Sequence, residues 1–131
     1  MPKTLRPIVL KNAAGEIDEL RAKALETFVD KLKKREGDNL LKVVLFGSVA
    51  RGDSRPYSDI DVFVLMKNGA YVELVERISE IYIDVNMEEG ECKVWLSPFV
   101  ATQEEYHERK FFGIPIYRII DEEGVVLYDS E

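Results

Sequence analysis

Two aspartates, Asp59 and Asp61, stand two residues apart at the head of the apolar run from Ile60 to Met66. In a strand, residues two apart project to the same side, so both carboxylates face one direction. Ionised groups held so close repel: either one is protonated or a cation lies between them. Mg2+ suits the position, since it prefers oxygen ligands and commonly keeps substrate phosphates in its shell. Upstream, Gly47 ends a second apolar run, Leu41 to Phe46, and Ser48 opens a helical turn. Free backbone N–H groups and a hydroxyl there point toward an anion, and glycine lets a phosphate approach the backbone closely. Each feature alone has an ordinary reading, a chance acid pair or a serine N-cap. Together they describe a site for a polyphosphate and its metal.

The segment FGSVARGDSRPYSDIDVFV resembles the signature of the minimal nucleotidyltransferases of the DNA polymerase β superfamily: Gly47-Ser48, ten residues from Val49 to Ser58, then Asp59-Ile60-Asp61. The resemblance runs more loosely from the helix before Leu41 to the closing YRIIDEEGVVLYD. It implies the polymerase-β-like α/β fold, a small mixed sheet flanked by helices. It further implies that Gly47 and Ser48 hold a nucleoside triphosphate and that Asp59 and Asp61 are catalytic and bind Mg2+. The α-phosphorus is then open to in-line attack, with pyrophosphate leaving. Arg51 reaches a phosphate from the same turn, or else pairs with an acid such as Asp53 or Asp59.

Family members of this size resemble the antitoxin half of two-gene modules whose other half is a helical HEPN-type protein. Some transfer AMP to a tyrosine of that partner. The resemblance therefore implies AMP transfer, with ATP as donor, to a hydroxyl of a partner protein. Two other readings stand beside it. One is a non-catalytic module that neutralises its partner by surface contact; the other is a small-molecule nucleotidyltransferase whose acceptor pocket a homodimer or second chain completes. The sequence departs from the family at one point. Active members usually carry a third carboxylate on the next strand, as the base for the acceptor hydroxyl, and here that strand reads KVWLSPFV, with Trp95 or Ser97 at the position. The nearby Asp84, Glu88, Glu89 and Glu91 read as a solvated helix face and turn.

The elements that position these residues are legible in the apolar spacing. Ile17, Leu20, Ala24, Phe28 and Leu32 recur at helical intervals from Glu16, with acids early and Lys33, Lys34 and Arg35 late, so a helix ends near Gly37. Leu41 to Phe46 and Ile60 to Met66 read as buried strands, with a loop between them. Tyr71 to Val85 reads as a long amphipathic helix fading toward Gly90, and Lys93 to Val100 as a third strand. Thr102 and Glu105 have the form of a capping box, opening a helix through Lys110. Gly113 to Glu123 is a further short helix and Val125 to Tyr128 a last strand. The order α-β-β-α-β-α-α-β predicts a mixed α/β domain with helices covering one sheet.

The bulk composition fits. At 131 residues, 46% hydrophobic and 33% charged, the chain suits one compact domain over 1–131, with 1–13 a tail or an added edge strand. A net charge of −7 argues against a broad nucleic-acid surface, so a single metal-bridged triphosphate is the anion to expect. No run reaches the length of a membrane span and no secretory leader is visible, so a cytoplasmic location is expected. Cys92 reads as a small core filler, Trp95 as core packing with base stacking as its alternative, and His107 as exposed.

Overall fold

The computed structural model describes residues 7–131; of the tail or edge strand expected over 1–13, residues 1–6 lie outside the described residues. Residues 7–13 form no strand; they run irregularly, with Leu10 buried against the core and Asn12 Nδ2 donating to the Gly52 carbonyl at 3.0 Å. Helix α1 follows over Gly15–Glu36, then strand β1 over Leu40–Phe46 and a short helix α2 over Gly47–Arg51. Strand β2 spans Ile60–Met66, helix α3 Tyr71–Met87, and strand β3 Leu96–Thr102. Helices α4 (Gln103–Phe111) and α5 (Pro115–Glu123) precede the last strand, β4 (Val125–Asp129).

The four strands form one mixed sheet in the order β3-β2-β1-β4, with β2 parallel to β3 and both other pairs antiparallel. Alternation along each strand divides its side chains between two layers. Val43, Leu45, Ile60, Val62, Val64 and Val100 join the large core beneath α1 and α3. Val44, Phe46, Phe63 and Ala101 turn the other way and meet Tyr117 and Ile120 of α5 in a smaller core. Asp61 shares this second face, being two residues from Phe63 and paired in register with Phe46. The paired acids therefore open on the α5 side of the sheet.

Three local expectations shift. Strand β3 begins at Leu96 rather than Lys93, because residues 90–94 are occupied by turns in which Glu91 and Cys92 adopt positive φ values of 51° and 57°. Cys92 is consequently exposed on that turn and fills no core. Helix α5 starts at Pro115, whose ring fixes φ for the first helical position, and not at Gly113. The Thr102 capping box forms as read: Glu105 N–H donates to Thr102 Oγ1 at 3.3 Å, while the Thr102 N–H donates back to Glu105 Oε1 at 3.1 Å.

Candidate active site

Strand β1 delivers Gly47 directly beside Asp61. The backbone at Gly47 has φ of +77°, and a Cβ built there would lie inside the contact distance of Asp61 Oδ2 and only 3.2 Å from Asp61 Cγ. Both facts require glycine: the left-handed backbone, and the space the carboxylate fills. The turn into α2 and the acid of β2 are thus packed against each other. Ser48 is half-buried in the first turn of α2, and its carbonyl accepts from the N–H groups of Gly52 (2.9 Å) and Asp53 (3.1 Å). Helix α2 begins at Gly47, with Phe46 as its N-cap and no side-chain cap. Ser48 therefore lies inside the helix and does not cap it. Its hydroxyl has no hydrogen-bond partner among the described residues, which leaves it available to an anion.

Asp59 is exposed just before β2 and Asp61 is half-buried inside it. Partial burial, and then the Asp59 carboxylate, push the Asp61 carboxyl above its ordinary value; the Arg51 guanidinium pulls the other way without prevailing. Arg51 is itself drawn to other acids. Its Nε donates to Asp53 Oδ2 at 3.2 Å and its Nη1 to Glu123 Oε2 at 3.4 Å, and these partners raise its already high pKa further. Of the two fates read for Arg51, acid pairing is the one the geometry displays, although with Asp53 and Glu123 rather than Asp59.

Two repelling carboxylates, one partly desolvated, form a donor set that a divalent oxygen-seeking cation suits, with water and phosphate oxygens completing its shell. Among the described residues no group of three or more His, Cys, Asp or Glu side chains is placed to hold a metal. In register with Asp61 on β3 stands Ser97. Asp84, Glu88 and Glu91 are exposed, and Glu89 lies 3.6 Å from Lys23 in an ion pair. His107 is exposed as expected. Trp95 is not core packing: it is 45% exposed beside β2, for Ile60 N–H donates to its carbonyl at 2.8 Å.

Two residues that hold the site together escape motif reading. Arg21 of α1 is only 2% exposed and reaches under the loop between α2 and β2. Its Nη1 donates to Asp18 (3.1 Å) and Ser54 Oγ (2.9 Å), and its Nη2 to the carbonyls of Arg55 (2.5 Å) and Ser58 (3.4 Å). The Ser58 carbonyl immediately precedes Asp59, so this buried guanidinium fixes the approach to the first carboxylate. The available signal was its place four residues after Ile17 and three before Ala24, on the apolar stripe of α1. Asn86 of α3 acts similarly on β3: its Oδ1 accepts from Leu96 N–H at 2.7 Å, at the very start of that strand.

A mixed sheet with a Gly-Ser turn packed against an Asp-x-Asp strand is the architecture of a nucleotidyltransferase of the polymerase-β type. The chain belongs to the family described as nucleotidyltransferase domain, whose model matches residues 25–125. It is 44% identical over 106 residues to MJ0604 of Methanocaldococcus jannaschii, named as a candidate protein adenylyltransferase; the match covers 81% of this chain and 96% of that protein. A second protein of the same organism with the same designation, MJ1305, is 48% identical over 44 residues, which are 34% of this chain and only 30% of that relative's length. A solved structure described as a candidate minimal nucleotidyltransferase shares the fold at a TM-score of 0.50 and 22% identity, over 85% of this chain and 95% of that one.

Proposed function

We propose that this nucleotidyltransferase is a magnesium-dependent protein adenylyltransferase, transferring AMP from ATP to a hydroxyl of a partner protein. The observation that carries this reading is the packing of Gly47 against Asp61, which brings the serine turn and the acid pair to one place. Gly47 and Ser48 receive the triphosphate, and Asp59 and Asp61 hold Mg2+. Bound Mg2+ supplies neutralisation of phosphate charge as the α-phosphorus is attacked. Arg51, once drawn from Asp53 and Glu123, adds positive charge beside the leaving pyrophosphate. The likeness to MJ0604 over nearly all of that protein supports a protein acceptor. We assign that acceptor to a helical HEPN-type partner of a toxin–antitoxin pair, in the cytoplasm. Among the described residues no helix is long and apolar enough to cross a membrane.

The test is direct transfer. The chain is incubated with ATP, Mg2+ and a purified HEPN-type protein from the same genome, and the intact mass of that protein is recorded. Addition of one AMP, lost with Asp61→Asn, supports the reading. Tight association without any mass change favours instead a non-catalytic partner-binding module, the alternative that the missing third carboxylate recommends.

A further inference from the structure

Beside the two aspartates, immediately before the strand β3 that lies away from the phosphate turn, the structure exposes an indole that the reading above does not use. Burial alternates through this segment: Val94 is 2% exposed and Leu96 3%, whereas Trp95 is 45% exposed and Ser97 is exposed with it. The same alternation runs through β2, with Ile60 and Val62 fully buried and Asp59 and Asp61 on the accessible side. The hydrogen bond from Ile60 N–H to the Trp95 carbonyl, and the register of Asp61 with Ser97, align the two segments. Trp95 and Ser97 therefore flank the acids on the β3 side, and Gly47, Ser48 and Arg51 flank them on the β1 side.

In-line displacement at phosphorus separates the two exchanging oxygens, since the incoming one enters opposite the leaving one. With the triphosphate tail on the α2 and β1 side, the acceptor hydroxyl enters from β3. The group it meets there is Trp95, a large rigid surface suited to stacking. Ser97, facing Asp61, offers a hydroxyl where a stronger base would have to stand. The resemblance already implies a tyrosine as acceptor, and its phenol, ionising near pKa 10, needs less help from a base than an aliphatic hydroxyl does.

We propose that Trp95 is the acceptor-recognition residue of this enzyme, stacking against the aromatic ring that carries the attacking hydroxyl. The inference rests on the adenylyltransferase reading. In the step it serves, the phenolic oxygen bonds to the α-phosphorus and the bond from that phosphorus to the bridging oxygen breaks. Pyrophosphate departs with the electron pair, and the phenolic proton passes to solvent water.

Trp95 is the single tryptophan of the chain, so its fluorescence reports on this site alone. The full chain is first saturated with Mg2+ and a non-hydrolysable ATP analogue, then titrated with N-acetyltyrosinamide or N-acetylserinamide. In parallel, Trp95→Ala and Trp95→Phe, which lack the indole signal, are compared with the native chain by calorimetry for affinity toward the magnesium–nucleotide complex and then toward N-acetyltyrosinamide. The proposal expects the aromatic amide alone to change the indole emission. It also expects nucleotide affinity to stay within about twofold in both variants, and acceptor binding to weaken about tenfold in Trp95→Ala and recover in Trp95→Phe. Loss of nucleotide affinity in Trp95→Ala makes the indole a nucleobase contact and overturns the proposal, as does equal response to the two amides or to neither. If the native chain binds no magnesium–nucleotide complex, the parent reading fails, and this inference with it.

Discussion

Gly47 and Asp61 occupy one space: the hydrogen in place of a Cβ at residue 47 is what lets the Asp61 carboxyl lie against the start of α2. The turn that would receive phosphate and the acid that would hold its metal are therefore not adjustable independently. Gly47→Ala must strain a backbone at φ +77° and displace Asp61 as well. We expect a loss of about 1–3 kcal/mol in denaturant unfolding together with weakened nucleotide binding. Gly37→Ala is the control, because φ is also positive there, at +56°, but a Cβ would meet nothing within 4 Å. That variant should lose stability alone. Equal effects of the two on nucleotide affinity would show that the contact with Asp61 is unimportant.

Arg21 ties α1 to the loop that leads into Asp59. Replacing it with Met removes the partners of Asp18, Ser54 and two carbonyls at once, and breaking a buried charged network of this kind costs about 3–5 kcal/mol. Chemical denaturation measures the loss. Under conditions where the variant stays folded, its nucleotide affinity should also fall, since the Ser58 carbonyl is released. Unchanged stability would mean that the guanidinium contributes nothing net where it lies.

The acid pair predicts a pH dependence in the metal-free protein. Asp61 is held above its ordinary value by burial and by Asp59, so the native state keeps a proton that the unfolded chain has already released. Stability linked to that proton is full below the ordinary carboxylate range and lost as pH rises through the folded value. Thermal unfolding of the metal-free chain should therefore show stability falling with pH across the interval just above that range. Asp61→Asn should flatten this component, and added Mg2+ should reverse its sign near neutral pH. A native profile identical to that of Asp61→Asn would refute the coupling.

Asn86 holds the first peptide of β3 from the side of α3. Asn86→Leu leaves the Leu96 N–H without that acceptor, at a cost of about 1–3 kcal/mol. Hydrogen exchange should show faster loss of protection at Leu96 than at Val43 in the middle of the sheet. Uniform loss across both strands would indicate general destabilisation rather than release of this contact.

Periodicity and motif together make several elements legible in the sequence. The spacing from Ile17 to Leu32 describes α1, the two apolar runs describe β1 and β2, and Thr102 with Glu105 describes the opening of α4. Asp59, Asp61 and Gly47 were visible as types at a spacing, and the fold brings them together. What escaped was carried by tertiary contact. Arg21 looks like one more charged residue of α1 until the loop closes over it, and Asn86 until β3 arrives beside it. Trp95 and Cys92 were misread as interior because hydrophobicity alone does not reveal a turn with two positive φ angles, nor which face of a short strand lies open. The partner of Arg51 on α5, Glu123, lies 72 residues away in sequence and left no local sign.

We propose that Asp59 and Asp61 form a metal-dependent triphosphate site against Gly47 and Ser48. Calorimetric titration of ATP into the native chain, with and without Mg2+ and alongside Asp59→Asn and Asp61→Asn shown by circular dichroism to remain folded, tests it most directly. Such a site binds ATP only with Mg2+, and either substitution weakens that binding at least about tenfold. Magnesium-independent binding, or binding that survives both substitutions, would contradict it.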